Sequence, residues 1–416
     1  MRVSIPGGAR QGRVRAPASK SAAQRLLLCA ALSESGCTLS CDGISRDLAA
    51  MIECLRALGA SIRVEGASIR VEPVRAAAEG ESLLPCCESG ATLRFLLPVV
   101  GALGASARFV CAGRLPDRPL APLSAELVRH GMAIETEGAE LRVSGRLRGG
   151  DWALPGDVSS QFVSALLMAL PLLEEDSRLT LTAPLQSAPY VALTEQTLRQ
   201  SALRLERDGE SWLIPGGQRP APPSALTVEG DWSNAAVFLA VGALSDGGVA
   251  VEGLDMASVQ GDRAVLELLA RFGASLEQTE GSVRAARGTL RGVTIDAAQI
   301  PDLVPPLAAL GALAEGETRI VNAARLRLKE SDRLRGLAAM LGALGAELRE
   351  LPDGLVIRGR PSLRGGSADC LADHRLAMAA AVAACGCTDA VELDAAECVE
   401  KSYPRFWDDF GSLGGL

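Results

Sequence analysis

Apolar positions along the chain follow two periods in turn, and that alternation itself repeats. Leu48, Met51, Ile52, Leu55 and Leu58 fall on one helical face, and Gly59 closes the run. The segment SIRVEGASIRVE then alternates apolar and polar residues about Glu65-Gly66, which predicts a β-hairpin. The same helix and hairpin return at Glu137-Gly138, Asp208-Gly209, Glu280-Gly281 and Asp353-Gly354, so the turn glycines step by 72, 71, 72 and 73 residues. A fixed period of this length marks one supersecondary unit used several times. Each copy also holds an earlier, more apolar helix, visible at 25–32, 162–173, 235–244, 303–314 and 376–384. One unit therefore reads as strand, helix, strand, helix, hairpin.

Two loops per unit lead into helices, and both keep the period. The first holds Ser19, Ser89, Ser160, Asp231, Asp302 and Asp373; the second holds Asp47, Asp117, Ala188, Asp262, Asp332 and Ser402. Six units are countable. Asp47, Asp231 and Asp262 read as plain helix N-caps. The sixth unit meets the end of the chain near Leu416 before its hairpin, while RVSIPGG at the start resembles the second hairpin strand of other copies, such as WLIPGG at 212–217. Residues 1–14 are thus expected to complete the last unit's sheet. Three units per domain give an α/β protein of two domains, 1–14 with 229–416 and 15–228, exchanging near the linker signal Pro220-Ala221-Pro222-Pro223. The active site is expected in the cleft between them.

With 416 residues, 48% of them hydrophobic and 22% charged, the chain can bury two or three domain cores. A net charge of −8 argues against a general nucleic-acid surface. Uncharged apolar stretches such as Leu376–Cys387 fall short of the ~18 to 20 residues of a membrane span. The run Leu26–Leu32 imitates a leader's apolar region, but it follows Arg25 far from the start and reads as helix. Eleven cysteines without paired C-x-x-C spacing read as reduced core residues of a cytoplasmic protein. His130 and His374 are the only histidines, too few for a multi-histidine metal centre. Among 42 cationic residues only Lys20, Lys329 and Lys401 are lysine. A chain that uses arginine almost everywhere keeps lysine where a planar, permanently charged group would be wrong.

Polar residues with no core role gather in the periodic loops: Lys20, Ser21 and Arg25; Gly90 and Arg94; Arg118; Ser159, Ser160 and Gln161; Ser187; Asp302; Lys329, Glu330 and Arg333; Arg375; Lys401. Helix N-termini favour anions, and added cations make a site for polyanionic substrates. Asp302 and Glu330 are the carboxylates left among them, suited to general acid and base roles. Ser159-Ser160 lacks the G-x-S-x-G elbow of a nucleophile. No phosphate-binding P-loop is present, and GGARQG at 7–12 lacks the dinucleotide glycine spacing. His374 reads as structural, Cys111 as a strand end, and Arg46, Arg94 and Arg263 as ordinary solvated or ion-paired arginines.

SKSAAQR (19–25), ESGATLRFLLP (88–98), LPDRPL (115–120), GDVSSQF (156–162), LKESDRL (328–334), DHRLAM (373–378) and EKSYPRFW (400–407) resemble, in order and across the whole chain, the motifs of the EPSP synthase family. The resemblance implies two inside-out α/β domains of three βαβαββ units each, closing around phosphoenolpyruvate and shikimate 3-phosphate. Carried over by motif, Asp302, Glu330 and Lys20 would be catalytic. Lys20, Ser21, Arg25, Ser159, Ser160, Gln161, Ser187, Asp302 and Lys329 would hold shikimate 3-phosphate. Lys20, Gly90, Arg118, Gln161, Arg333, Arg375 and Lys401 would hold phosphoenolpyruvate. The implied reaction is addition then elimination, with neither metal nor organic cofactor, in a cytoplasmic monomer that takes small molecules and neither nucleic acid nor membrane. This sequence departs from the family pattern at Arg325, where an asparagine is common and Asn322 could serve only with a shifted loop. It departs again at Ala188, Ala91 and Phe95.

Two other readings stand beside this one. UDP-N-acetylglucosamine enolpyruvyl transferase shares the implied fold and donor, but its first motif has Lys-Asn where this chain has Lys20-Ser21, and its loop cysteine lies closer to the arginine than Cys111 does to Arg118. A repeat-built binding scaffold would spread its cations evenly over all six units, which these loops do not.

Overall fold

The computed structural model of the protein describes residues 1–75 and 80–414. Contacts divide the chain into two compact units, Ser19–Val228 and Met1–Ala18 with Glu229–Leu416. Within the first, Glu81–Cys87 runs parallel to Ser106–Cys111, and the helix Gly90–Leu103 makes the crossover that a parallel pair requires. The hairpin Met132–Glu137 and Glu140–Gly145 then lays its second strand antiparallel on Ser106–Cys111. Among the described residues five four-stranded sheets share this spatial order of first, second, fourth and third strand. A sixth sheet has three strands.

Two of the four-stranded sheets take their first strand from a distant part of the chain. Ala225–Thr227 runs parallel to Cys37–Ser40 in the first unit, and Gly12–Arg15 runs parallel to Val249–Glu252 in the second. The sequence reading sent all of residues 1–14 to the last sheet. Only Val3–Ile5 goes there, antiparallel to Val391–Leu393, with Gly366–Ala368 on the other side. One strand stands where the other sheets have a hairpin, hence three strands. Strands of three or four residues carry too little periodicity to reveal their partners.

The layering is inside-out. Every residue of the helices Trp232–Ala243 and His374–Ala384 is buried, as expected for helices apolar on all sides. Amphipathic helices such as Val265–Phe272 bury one face, here Val265, Leu268, Leu269 and Phe272. The strands keep a wet face: Ser61–Glu65 buries only Ile62.

Gly66, Gly138 and Gly209 occupy their hairpin turns with φ near +60° (59°, 59° and 60°), where a Cβ is unfavourable. Gly354 differs. It pairs with Leu351 as the first residue of a strand, so the turn falls on Pro352-Asp353. A Cβ at 354 would lie 1.9 Å from the Ile320 carbonyl oxygen, so glycine serves close strand approach there.

Ile5 is fully buried and closes the last sheet opposite Val391. Ile5→Ala is expected to lower stability by about 2–5 kcal/mol and to loosen Val391–Leu393 first. Thermal melting with amide exchange checks this; wild-type protection of that strand in the variant would contradict it.

Candidate functional site

In the unit Ser19–Val228, four helices begin at sequence-expected site residues. Ser19 caps Lys20–Ala31, its hydroxyl accepting from the Ala22 N–H, which places Lys20 and Ser21 in the first turn. Ser89 caps Gly90–Leu103 through the Thr92 N–H, and Ser159 caps Ser160–Ala169 through the Gln161 N–H. Ser187 opens Ala188–Gln200 from a left-handed backbone (φ 54°), and its side chain makes no cap bond.

Arg25 is 2% exposed. Its Nε donates to Thr194 Oγ1 (2.7 Å), Nη1 to the Ser21 carbonyl (2.8 Å) and Nη2 to the Tyr190 carbonyl (3.1 Å). Its guanidinium also lies 5.0 Å from the Phe95 ring centre. Burial brings it down to about 10. Arg94, read from sequence as ordinary, is buried and donates to Gln161 Oε1 (2.7 Å) and the Pro119 carbonyl (3.1 Å). It thereby ties the Gln161 turn to the Arg118 loop. Gly90 lies under both cations: a Cβ there would come within 2.6 Å of Arg94 Nη1 and 2.9 Å of Arg118 Nη1. Lys20 Nζ stands 2.8 Å from Asp47 Oδ2.

The other unit gathers a second set. Arg333 opens the helix Arg333–Ala343, capped by Asp332, and Arg375 is second in His374–Ala384, capped by Asp373. The Arg333 guanidinium, 1% exposed, donates to three carboxylates: Nη1 to Asp302 Oδ1 (2.9 Å), Nη2 to Glu330 Oε2 (2.9 Å) and Nε to Asp373 Oδ2 (2.9 Å). Arg375 Nη1 donates to the Ser233 carbonyl (3.1 Å), and its Nη2 lies 4.0 Å from Asp302 Oδ2. Lys401 ends the short helix Ala396–Lys401 and is buried. Loss of hydration raises the proton affinity of Asp302, but Lys329, Arg375 and Arg333 outweigh it and hold the carboxyl well below the usual range. Lost hydration, then Arg325 and Arg333, bring Lys329 down to about 8 against the opposing pull of Asp302.

Each unit thus holds part of the expected set: Lys20, Ser21, Arg25, Gly90, Arg118, Ser159, Ser160, Gln161 and Ser187 in one, Asp302, Lys329, Glu330, Arg333, Arg375 and Lys401 in the other. Sequence reasoning missed three partners. Asp47 is not a cap; Ser45 is, and Asp47 turns its carboxylate to Lys20. Asp262 is not a cap either; it accepts from Ser233 Oγ, and burial with Asp302 nearby pushes it up to about 7. Asp373 reads from sequence as a periodic loop residue, whereas it both caps a helix and grips Arg333. Asp231 does cap its helix, through the Asn234 N–H. Asn322 is exposed and donates to Asp296 Oδ2 (3.0 Å). His130 stacks on Trp152 at 3.6 Å between ring centres, a packing role, and Cys111 ends its strand with a thiol pushed up by burial to about 11. No helix among the described residues is long and apolar enough to cross a membrane.

Solved structures share this architecture. An EPSP synthase from Acinetobacter baumannii superposes with a TM-score of 0.81 over 99% of this chain and 98% of its own, at 24% identity. The enolpyruvyl transferase NikO from Streptomyces tendae gives a TM-score of 0.82 over 99% and 97%, at 22% identity. The fold is therefore that of the enolpyruvyl transferases. The family pattern for EPSP synthase (3-phosphoshikimate 1-carboxyvinyltransferase) matches residues 6–410. A 3-phosphoshikimate 1-carboxyvinyltransferase of Clostridium kluyveri is 39% identical over 415 residues, covering 99% of this chain and 97% of that protein. The chain belongs to the EPSP synthase family.

Lys329 lowered to about 8 has a consequence for stability. Its folded pKa is below the unfolded value near 10.5, so between those values the unfolded chain binds more protons and stability rises with pH. The destabilisation is present in full below about 8. With three lysines in the chain, their ammonium resonances can be followed singly by NMR. Lys329 is expected to titrate near 8, and Lys329→Met to lose the stability gain between about 8 and 10.5; a Lys329 midpoint near the ordinary value would contradict this.

Proposed function

We propose that the protein transfers the enolpyruvyl group of phosphoenolpyruvate to the 5-hydroxyl of shikimate 3-phosphate, releasing phosphate and 5-enolpyruvylshikimate 3-phosphate. Family membership supports the activity, and one observation carries the chemistry. Asp302 and Glu330 are each 2.9 Å from a single buried guanidinium, and the charges of Lys329 and Arg375 also act on Asp302. Acid–base carboxylates embedded in cations suit a reaction between two phosphorylated anions.

In this reading Lys20, Ser21, Arg25, Ser159, Ser160, Gln161, Ser187, Asp302 and Lys329 hold shikimate 3-phosphate. Lys20, Gly90, Gln161, Arg118, Arg333, Arg375 and Lys401 hold phosphoenolpyruvate. An acid, Glu330 or Lys20, gives a proton to the methylene carbon, and C2 becomes electrophilic. The 5-hydroxyl attacks C2 while Asp302 takes its proton. Loss of a methyl proton and of phosphate from the tetrahedral intermediate then restores the enol ether.

Asp302 is a poor base while Lys329, Arg375 and Arg333 depress its proton affinity. Substrate anions that engage those cations weaken their hold, so the carboxylate gains basicity once the site is loaded. The cations therefore bind the substrates and, through them, set the strength of the base.

Phosphate release with phosphoenolpyruvate plus shikimate 3-phosphate tests the assignment, with UDP-N-acetylglucosamine as the rival acceptor. Turnover with the sugar nucleotide alone would overturn it. Lys20→Arg is expected to lose kcat by at least ~10²-fold, since guanidinium keeps the proton that ammonium can exchange. Lys401→Arg is expected to raise mainly the KM for phosphoenolpyruvate. A Lys20→Arg enzyme within a few-fold of wild type would remove Lys20 from proton transfer. Gly90→Ala, whose methyl would displace Arg94 and Arg118, is expected to raise the phosphoenolpyruvate KM with less effect on kcat; an unchanged KM would show that the crowding is harmless.

A further inference from the structure

The ammonium of Lys20 lies 2.8 Å from Oδ2 of Asp47, and the two side chains are only 18% and 7% exposed. Asp47 is second in the helix Arg46–Ala57. Its backbone carbonyl is held from two sides. Gln24 Nε2, from the helix that begins at Lys20, donates to it at 3.3 Å, and Thr92 Oγ1, from the helix that begins at Gly90, donates at 3.4 Å. Gln24 Nε2 also reaches Ser89 Oγ (3.3 Å), which shares a 2.7 Å hydrogen bond with Thr92 Oγ1. Gln24, Ser89 and Thr92 are at most 1% exposed. Asp47 is therefore fixed to the N-terminal ends of the two helices that open with Lys20 and Gly90.

We infer that Asp47 is a positioning residue for the reaction, its carboxylate setting where the Lys20 ammonium stands. The inference rests on the proposed role of Lys20 at both substrates. A lysine has a flexible four-carbon stem and a mobile point charge, so a proton donor built on it needs an external anchor. Misplacing a catalytic group by about an ångström is enough to lose ~10²-fold in rate. An ion pair withdrawn from water adds little net stability after desolvation, so stability alone explains the arrangement poorly.

The purely structural reading and the positioning reading differ in kinetics. Asp47→Asn preserves shape and removes a negative charge beside a site for anions. If Asp47 positions Lys20, kcat falls by ~10- to 10²-fold while the KM values for phosphoenolpyruvate and shikimate 3-phosphate do not rise, because the site becomes more cationic. If Asp47 is only structural, a loosened fold raises KM or lowers the melting temperature and leaves kcat of the folded enzyme unchanged. Asp47→Glu, which keeps the charge one methylene further out, should fall between wild type and Asp47→Asn in kcat. Should Asp47→Asn melt below the assay temperature, an Asp47→Glu kcat equal to wild type overturns the inference.

A double-mutant cycle with Lys20→Met completes the test. Asp47→Asn should cost nothing further in kcat once Lys20 is gone, because the carboxylate acts through the ammonium. Full additivity would overturn positioning. Wild-type phosphate release from phosphoenolpyruvate and shikimate 3-phosphate is the control: its absence would sink the proposed function, whereas wild-type activity with an Asp47→Asn kcat within two-fold sinks only the role of Asp47.

Discussion

Arg333 keeps a full charge with 1% of its surface in water, and three carboxylates from separate segments answer it. Taking an ion of this kind out of water costs several kcal/mol unless its donors are met with good geometry. Asp302 comes from the turn before Val304–Gly311, Glu330 from the loop before Arg333–Ala343, and Asp373 from the cap of His374–Ala384. The loops of neighbouring repeats are held together by one cation. Asp373 is fixed twice, since its carboxylate also accepts the Arg375 N–H at 2.9 Å. Loss of any of the three would leave buried charge uncompensated, and the site would come apart with the local fold.

Arg25 and Lys20 are held differently. Arg25 is gripped by a hydroxyl and by carbonyl oxygens, polar groups that do not neutralise its charge. Lys20 faces a carboxylate. Guanidinium with five fixed donors can be aimed by neutral acceptors, whereas an ammonium is oriented best by an opposite charge. The scarcity of lysine in the sequence gains a physical sense here, because at Lys329 burial and neighbouring arginines act on an ammonium that can change its protonation.

Much of this was legible in the chain. The helical and alternating periods gave the repeating unit, and of the caps read from sequence Asp231 does form one; Ser19, Ser89 and Asp373, seen there only as periodic loop positions, also cap their helices. The failures have local causes. Ser45 lies two residues before Asp47 and takes the cap first, which frees the aspartate for Lys20. Asp262 lies in a tight turn of helix, Gly261–Ala264, where capping geometry does not arise. The exchanged strands Gly12–Arg15 and Ala225–Thr227 are too short to show a partner in their own pattern. Thr194, which anchors Arg25, lies 169 residues away, a separation that no periodicity reveals.

The charges around Asp302 also bear on what pH means for this protein. Arg333, Arg375 and Lys329 face Asp302, Glu330 and Asp373, so the cluster as a whole is close to neutral. A near-neutral cluster draws an anion weakly by net charge alone. In the proposed reading it binds one by exchanging partners: the anion takes donors now given to Asp302 and Glu330, and Asp302, losing cations, gains proton affinity. Binding and protonation are then linked, and the apparent pKa of the acid and the base belong to the loaded complex more than to the resting chain. Asp262, already near 7 by burial and by the Asp302 charge, titrates against the same cluster. A change of charge on Asp302 is therefore felt by the Asp262 and Ser233 pair, whose backbone carbonyl steadies Arg375.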